Sequence, residues 1–345
     1  MTNVSVREVA ARAGVSTATV SRVLNGTAPV SALAESQVRK AVHDLDYAPS
    51  AAARSLRSRR TGVLGLILPS LRNPFFPELI GAATSVAAGQ GYGVLIAASE
   101  KPGDDVLRMV RSSTVDGIVL VGSTSGQDDM TGVEDLEIPL VAFDRAPSNM
   151  PTTVFRVDNE LGATEVTHHL IGGGHSRIAH ISGPPELGVT EQRLKGFQRA
   201  MQQAGLVDRR EFRIHGDFTE ESGYAGARTL LRLAEPPTAI FAANDMMAIG
   251  VLSALRENKR RGESLVAVAG FDGLALSRYV SPRLTTYRQP IEQLATLCIQ
   301  RLLQAVEDRD PAMLRGPNGE QIISQLPGQL IVSESTGDII NYKDI

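Results

Sequence analysis

The sequence predicts a small all-α head at the N-terminus, followed by an α/β body of two lobes, each built on a doubly wound parallel sheet. Three short segments with apolar residues at helical spacing occupy the first 47 residues. From residue 62, apolar strand-like runs alternate with helices, a pattern typical of a parallel sheet covered by helices on both faces. About 220 residues of this alternation exceed what one such sheet accommodates, and therefore indicate two lobes.

Two helices joined by a tight turn are predicted at the start of the head. Ser5 and Glu8 have the S-x-x-E spacing of a capping box, which marks the start of the first helix. Gly14 can end this helix in the left-handed conformation that follows many helix C-termini. Ser16 can cap the second helix, which extends from about residue 17 to about residue 24.

The exposed side of the second helix carries small polar residues and one arginine, a composition that suits the major groove of DNA. Thr17, Ala18 and Arg22 are predicted to read base edges, while Thr19 and Ser21 contact phosphate or the core of the head. A plain helical hairpin is the alternative, but the A-x-A-G-V-S turn together with the S-R-x-L-N ending disfavours it. The full predicted DNA-binding set of the head is Ser5, Ser16, Thr17, Ala18, Thr19, Ser21, Arg22 and Asn25.

A third helix completes the predicted head. It starts after Ser31, spans about residues 34–45, and has Leu33 among the apolar residues of its buried side. Residues 48–60 follow as a basic, alanine-rich segment that can be helical but is too short to be stable as a helix by itself. This segment is either a simple linker or a hinge helix that becomes ordered on DNA.

Charge is distributed unevenly along the chain. Residues 1–60 contain nine lysine or arginine residues against four aspartate or glutamate residues, a net charge of +5, so the rest carries −8. A basic head indicates a polyanionic partner. The single cysteine, Cys298, excludes an internal disulfide and is consistent with a reducing compartment. Because neither a membrane-length apolar run nor a signal-peptide pattern occurs, we expect a cytoplasmic protein that joins the nucleoid when bound to DNA.

Polar and aromatic side chains follow several predicted strands of the body. Ligands of open α/β sheets bind beyond the carboxyl ends of the strands, so these residues are candidates for a cleft between the lobes. Carboxylate, amide and guanidinium groups pair with sugar hydroxyls, and phenylalanine offers a flat apolar face to a ring. The candidates are Asn73, Phe75, Phe76, Asp144, Arg145, Asn244, Asp245 and Asp272.

Some of these candidates have a simpler structural interpretation. Asn244 and Asp245 can cap the helix that follows them, and Asp245 is assigned mainly to that role. Phe76 is expected in the core rather than at a ligand. Arg145 can be a structural ion-pair partner.

Five short motifs occur along the body: NPFF at Asn73–Phe76, DR at Asp144–Arg145, R-L-K-G-F at Arg193–Phe197, A-N-D at Ala243–Asp245 and G-F-D at Gly270–Asp272. With these motifs and its helical hairpin, the chain resembles the lactose repressor–galactose repressor family of bacterial transcription factors almost to its C-terminus. The resemblance implies a body like the periplasmic sugar-binding proteins. Its lobes would be linked by three crossings near Val157–Asn159, Tyr287–Gln289 and Gln321–Gln325.

The resemblance also implies site residues. Arg193 and Asp272 are the strongest candidates for effector contact, and Gln289 is placed at a lobe crossing. The predicted effector-binding set is Asn73, Phe75, Asp144, Arg193, Phe218, Asn244, Asp272 and Gln289. In the hinge, two helices of a dimer would pair in the minor groove, where Leu56 matches a leucine that wedges between base steps and Ala53 a base-contacting position.

The predicted domain boundaries follow from these assignments. The head covers 1–47, the hinge 48–60, the N-terminal lobe 61–157 plus 289–320, the C-terminal lobe 158–288 plus 321–336, and the tail 337–345.

The chain departs from the family pattern at two places. Members that bind purines have an arginine and a threonine where this chain has Leu187 and Val189, so a purine effector is not expected. The segment Ser99–Asp116 is about one helical turn shorter than usual. No leucine-heptad tail follows Ser335, which favours a homodimer over a tetramer.

The sequence thus predicts a DNA-binding transcriptional regulator, with a repressor favoured. As a homodimer it would bind a pseudo-palindromic operator on double-stranded DNA under the control of a small ligand, a sugar or sugar derivative. A transport-type sugar-binding protein without a DNA role is the alternative, which the basic head disfavours. An enzyme is not expected, because G-x-G-x-x-G, P-loop and G-x-S-x-G motifs are missing, and no cofactor, metal site or membrane partner is predicted.

Overall fold

The computed structural model of the chain describes residues 4–25, 28–47, 60–99, 101–122, 132–133, 136–147, 150–259 and 266–337. The chain divides into two compact units, Met1–Thr61 and Gly62–Ile345. Across the described ranges, no helix is both long and apolar enough to cross a membrane.

The head consists of three helices around a small apolar core. The helices are α1 (Val6–Ala13), α2 (Thr17–Asn25) and α3 (Ala32–Asp44). Helices of this length are marginal in water by themselves, so burial of a shared apolar core supplies most of their stability. The buried core residues are Val9, Ala10, Ala13, Val20, Val38 and Ala41.

The predicted caps of the first two helices are confirmed. The Glu8 amide donates to Ser5 Oγ at 3.4 Å and the Ser5 amide donates to Glu8 Oε2 at 2.6 Å, which completes the capping box. Gly14 follows α1 in the left-handed conformation, with a φ of 66°. The Thr19 amide donates to Ser16 Oγ at 3.1 Å and so caps α2.

The prediction that Leu33 lies in the core of the head is wrong. Helix α3 begins earlier than expected, at Ala32, directly after Ser31, whose Oγ accepts a hydrogen bond from the Ala34 amide at 3.3 Å. Leu33 therefore lies in the first turn of the helix and is 70% exposed. Val38, further along α3, supplies the buried side instead.

The first lobe contains a six-stranded sheet whose strand pairs are all parallel. In spatial order its strands are β11 (Ile322–Leu326), β5 (Thr153–Val157), β4 (Leu140–Phe143), β3 (Gly117–Val121), β1 (Val63–Leu68) and β2 (Gly93–Ala98). Its helices are α4 (Phe75–Gly89), α5 (Pro102–Arg111) and α10 (Ile291–Asp308), with a 3-10 turn at Pro311–Leu314. Alternate residues of a strand point to opposite faces. Accordingly, Leu66 packs in the cluster that contains α4 and α10, and its neighbour Ile67 packs with α5.

The second lobe has the same architecture with one antiparallel edge strand. Its strands in spatial order are β12 (Gln329–Ile331), β10 (Thr285–Arg288), β9 (Ala267–Asp272), β8 (Ala239–Ala242), β6 (Ile178–Ser182) and β7 (Arg213–His215). Only β12 runs antiparallel to its neighbour within this sheet. The helices are α6 (Asn159–Gly172), α7 (Gly188–Gln203), α8 (Glu220–Leu230) and α9 (Asp245–Lys259), with 3-10 turns at Arg210–Phe212 and Ala275–Arg278.

The described chain passes three times between the lobes. The first two passages follow β5 and β10, at the predicted crossings near Val157–Asn159 and Tyr287–Gln289. The prediction for the third is wrong, because Ile322–Leu326 pairs with β5 inside the first sheet, and the passage lies at residues 327–328. The predicted boundary at residue 321 therefore moves into the first lobe. Gly328 suits the passage, since a Cβ there would lie 2.3 Å from the Arg288 carbonyl oxygen.

Candidate functional site

A cleft of about 530 Å³ lies between the two lobes of the body. Its walls include residues at the carboxyl ends of strands in both sheets. Asp144 follows β4, Asn244 lies just beyond β8, and Asp272 ends β9. Side chains in these positions project beyond the sheet edge, where open α/β sheets bind ligands.

The cleft brings together all eight residues that the sequence analysis predicts for effector contact. They are Asn73, Phe75, Asp144, Arg193, Phe218, Asn244, Asp272 and Gln289. Phe76, which was expected in the core, packs half-buried against the core and also lines the cleft. Arg145, for which an ion-pair role was the alternative, lines the cleft as well. Asp245 does not line it and is fully buried.

Arg193 is the central charged group of the cleft. Its Nε donates to Asn159 Oδ1 at 2.9 Å, and its Nη1 donates to the Ala243 carbonyl oxygen at 2.5 Å. Its Nη2 lies 3.6 Å from Asp272 Oδ1. The guanidinium carbon lies 3.8 Å from the centroid of the Phe271 ring, in cation–π geometry. These contacts hold the side chain in one orientation at the base of the cleft.

Asp272 is held from the other side by the second lobe crossing. Gln289 Nε2 donates to Asp272 Oδ1 at 2.7 Å, and the Gln289 amide donates to the Asp272 carbonyl oxygen at 3.0 Å. Burial raises the pKa of the Asp272 carboxyl to about 6, although Arg193 and Gln289 act in the opposite direction. A cleft residue and a crossing residue are thus directly connected.

The assignment of Asp245 to helix capping is wrong. Asn244 caps α9, because its Oδ1 accepts a hydrogen bond from the Met247 amide at 2.9 Å. Asp245 instead accepts hydrogen bonds from the Leu274 amide and the Thr286 hydroxyl. Burial, followed by repulsion from Asp272, raises the pKa of Asp245 well above its ordinary value.

Three cleft residues have a positive φ angle, a backbone conformation that residues other than glycine rarely adopt. The φ angles are 72° at Asp144, 68° at Phe218 and 119° at Asp272. Such conformations store strain and are concentrated at ligand sites. Gly183 accommodates Phe218, because a Cβ at residue 183 would lie 2.1 Å from the phenylalanine ring.

Two residues that hold Arg193 were missed by the sequence analysis. Asn159 is buried, and its Oδ1 accepts a hydrogen bond from Arg193 Nε. Its Nδ2 donates a hydrogen bond to Gln192 Oε1 at 3.2 Å. Phe271 supplies the ring beneath the guanidinium group. The position at the carboxyl end of a strand, which indicated the other candidates, could have indicated these two as well. Asn159 lies just after β5, and Phe271 lies near the end of β9.

A second groove, of about 630 Å³, is lined mainly by α6 and α7, with Arg156 and Gln325 from strands of the first lobe, and we call it the outer groove. Its charged pair, Arg199 and Glu160, is more than 40% exposed on both side chains. None of the predicted effector residues lines this groove. Within the described part of the chain, no group of three or more histidine, cysteine, aspartate or glutamate side chains is placed to hold a metal ion.

The head presents the predicted recognition residues on the surface of α2. Thr17, Ala18 and Arg22 are exposed, while Thr19 and Ser21 are half-buried. Ser5 and Ser16 are exposed and use their hydroxyl oxygens as helix caps. The side chain of Asn25 and the hinge residues Ala53 and Leu56 lie outside the described residues, so their roles stay predictions.

Two family descriptions match the chain. "Bacterial regulatory proteins, lacI family" matches residues 5–50, and "Periplasmic binding protein-like domain" matches residues 167–336. The HTH-type transcriptional repressor PurR of Photobacterium profundum is 34% identical over 340 residues, which cover 97% of this chain and 99% of the relative. PurR of Aliivibrio fischeri strain MJ11 is 34% identical over 314 residues, which cover 89% and 93%.

Solved structures are similar over nearly the whole chain. The lac repressor dimer bound to operator and the anti-inducer ONPF has a TM-score of 0.83 at 26% identity, covering 96% of this chain and 99% of that one. A complex of the transcriptional regulator CelR with cellobiose has a TM-score of 0.69 at 28% identity, with the same coverage.

A helix-turn-helix head joined in one chain to a two-lobed body with a cleft defines a DNA-binding transcriptional regulator with a receptor domain. The chain belongs to the LacI family of bacterial regulatory proteins. Members of this family are transcriptional regulators rather than enzymes. Membership therefore favours the predicted regulator over a transport-type binding protein.

Proposed function

We propose that the protein is a homodimeric repressor of transcription that binds a pseudo-palindromic DNA operator under the control of a sugar or sugar derivative bound in the cleft. The observation that carries the proposal is the convergence of residues from both lobes, and of the crossing residue Gln289, on one cleft. A ligand that contacts all of them must respond to the relative position of the lobes. We place the protein in the cytoplasm, on the nucleoid when DNA is bound.

In this proposal, two copies of α2 enter successive major grooves. Thr17, Ala18 and Arg22 read base edges, and the half-buried Thr19 and Ser21 contact phosphate or stabilise the head. The exposure of the first three residues supports these roles. Ala53 and Leu56 act in the minor groove from a hinge helix that forms on the operator.

Homodimer formation is supported by exposed apolar residues of the body. Strand β2 is an edge strand of the first sheet, and its Leu95 and Ile96 are each 41% exposed. In the second lobe, Tyr279 is 83% exposed next to the half-exposed Leu276. Apolar edges of this kind are typical of surfaces covered by a partner. The related lac repressor structure is a dimer.

A carbohydrate fits the chemistry of the cleft. Phe75, Phe76 and Phe218 supply flat apolar surfaces, and the carboxylate and amide groups of Asp272 and Gln289 can pair with hydroxyls. Leu187 and Val189 also line the cleft. They stand where purine-binding members of the family have an arginine and a threonine. The CelR neighbour binds the disaccharide cellobiose. Several relatives are named PurR, but the effector proposed for this chain is not inferred from that name.

Coupling between the two sites follows from the position of the crossings. In the proposed dimer, a ligand that draws the two lobes of a subunit together would change the orientation of the first lobe, to which the hinge segment is joined. The spacing between the two hinge helices of the dimer would change as a result. These helices are marginally stable, so a coupling free energy of about 1–3 kcal/mol would switch them. Ligand and operator would then affect each other's affinity by the same factor.

The proposal is tested in two steps on the full chain. A mobility-shift titration should show retardation of a palindromic duplex, with an affinity that falls steeply as salt increases. A thermal-shift screen of sugars and nucleosides should find a stabilising ligand. That effect should be lost in Arg193→Ala and Asp272→Ala but kept in Arg199→Ala, whose side chain lies in the outer groove. Retention of the shift in both cleft variants would refute the site assignment.

The hinge role of Leu56 leads to a separate prediction. Leu56→Ala should weaken operator binding at least tenfold, because the wedge that opens the minor groove is removed. The melting temperature of the body should not change. Leu33→Ala is the matched control, since Leu33 is an exposed leucine of the head. Equal operator affinity of wild type and Leu56→Ala in a fluorescence titration would reject the wedge.

A further inference from the structure

Carboxylates outnumber guanidinium groups in the lining of the cleft. Among the described lining residues there are six carboxylates and three guanidinium groups. Arg193 is the buried cation of the set. The other two, the exposed Arg72 and the half-buried Arg145, belong to the first lobe. The charge balance of the lining is therefore negative.

The buried cation is already matched by buried anions. Asp272 Oδ1 lies 3.6 Å from Arg193 Nη2, and Asp144 and Asp245 also act on the arginine electrostatically. A carbonyl oxygen, that of Ala243, occupies Nη1. A ligand phosphate or carboxylate placed beside Arg193 would thus have to displace or face existing carboxylates, which costs free energy because these groups are buried.

The helix N-termini around the cleft are also neutralised. A helix N-terminus is an attractive site for an anion, because its free amides and the helix dipole are positive. Three of the helices that begin at the cleft carry a glutamate in the first turn that is exposed or half-buried: Glu78 in α4, Glu191 in α7, and Glu220 and Glu221 in α8. These side chains compensate the dipoles from within the protein.

The mouth of the cleft adds to this exclusion. Glu220 and Glu221 line the wall of the second lobe and are exposed, as is Glu186 on the neighbouring loop. Carboxylates accept hydrogen bonds from hydroxyl and ammonium groups but repel phosphate. The same groups that would bind a polyol therefore discriminate against its phosphorylated form.

We propose that the effector carries no phosphate or carboxylate, and that it is an uncharged or amino-bearing carbohydrate selected against its anionic derivatives by the carboxylates of the cleft. This inference rests on the proposed function and narrows its ligand class. Glu220 and Glu221 are the specificity-determining residues at the mouth, and the pair formed by Arg193 and Asp272 is the determinant at the base.

The test compares matched ligands on the full-length protein by thermal shift and calorimetry at low salt. The carbohydrate series are glucose, galactose, mannose and cellobiose with their available amino, 6-phosphate and uronic acid forms, and adenosine is compared with its monophosphate. We expect stabilisation by an uncharged or amino form, with any phosphate or uronate at least tenfold weaker. An anionic form that binds as tightly as its neutral parent would overturn the inference.

The outcomes separate the inference from the proposed function. Binding of adenosine but of no carbohydrate, with the monophosphate weaker, would refute the carbohydrate while upholding the charge selection. Stabilisation by none of the compounds would contradict the ligand class and the inference together. In the double variant Glu220→Gln/Glu221→Gln, the preference for the neutral form should fall severalfold. Glu292→Gln, on the exposed side of α10, should leave it unchanged. An unchanged preference in the double variant would show that Glu220 and Glu221 do not determine the selection between neutral and anionic ligands.

Discussion

At the scale of single residues, the cleft is defined by one buried guanidinium group among three acidic side chains. Arg193 contacts Asp272 and is close enough to Asp144 and Asp245 for their charges to act on it. Burial disfavours the ionised forms of these carboxyl groups by more than one nearby positive charge favours them. Burial accordingly raises the pKa values of Asp144, Asp245 and Asp272.

The raised pKa of Asp272 predicts a pH dependence of stability. At about pH 4 the carboxyl is protonated in the folded protein and partly protonated in the unfolded chain, whereas at pH 7 it is ionised in both. The folded state alone bears the penalty of ionisation. Between these pH values, the free energy of unfolding of the wild type should therefore fall relative to that of Asp272→Asn, by about 1–3 kcal/mol.

Chemical denaturation of both proteins at several pH values measures this difference. Asp104→Asn is the control, because it removes an exposed carboxylate of α5 and leaves the buried one in place. A pH-independent difference for Asp272→Asn would mean that the carboxyl is not penalised by burial.

The sequence predicted the members of the cleft better than the bonds among them. The strand-end rule and the family resemblance led to eight residues that line one cleft, Arg193 and Phe218 among them. Neither indicated that Asn159 would hold Arg193, or that Asp245 would bind Leu274 and Thr286 instead of capping α9. Such pairings depend on how strands distant in sequence are aligned, which a local pattern does not contain.

At the scale of elements, α2 is stabilised by its own cap and by the apolar core of the head, and its exposed residues include Thr17, Ala18 and Arg22, which we propose to read base edges. Arg22→Ala should reduce specific operator affinity by about 1–3 kcal/mol while affecting non-specific binding less, because the proposed contact of Arg22 with a base would be lost. Arg39→Ala is the control, since Arg39 is exposed on α3 and pairs with Glu35 at 2.7 Å. Equal losses on operator and random DNA would show that Arg22 contacts phosphate only.

A hydrogen bond between elements of different lobes connects the rim of the cleft. Glu78 on α4 accepts from the Ala275 amide at 2.9 Å, in the turn that follows Asp272. Glu78→Ala should loosen this contact, at a cost of about 1 kcal/mol because the bond is exposed. Hydrogen exchange of the segment 274–279 should then be severalfold faster than in wild type and in the control Glu292→Ala. Unaltered exchange would show that the bond does not hold the lobes together.

The continuous apolar strands of the body were predictable, and the edge strands were not. Strands β1, β3, β4 and β8 are each a continuous apolar run buried on both faces, which is the pattern of a strand in a parallel sheet. Strand β12 spans only three residues, and β11 mixes apolar with polar residues, so neither gives a clear pattern. Helix α10 was not assigned, although Ile291, Leu294, Ala295 and Cys298 have helical spacing and are buried.

At the scale of the whole molecule, regulation requires communication between a receptor and a head that are separate compact units. The receptor has a cleft whose walls belong to both lobes, and Gln289 connects the cleft to a lobe crossing. A ligand can shift the DNA equilibrium only by its differential affinity for the two arrangements of the lobes. Regulation by the proposed ligand therefore requires a free energy of coupling between the cleft and the operator site.

The most direct test is a titration of labelled operator with the protein at fixed salt, in the absence of a ligand and at saturation with the carbohydrate identified by thermal shift. The account predicts that the operator Kd changes by about 5- to 150-fold, the range typical of allosteric coupling. An identical Kd in both titrations, with the thermal shift showing that the ligand is bound, would contradict the account.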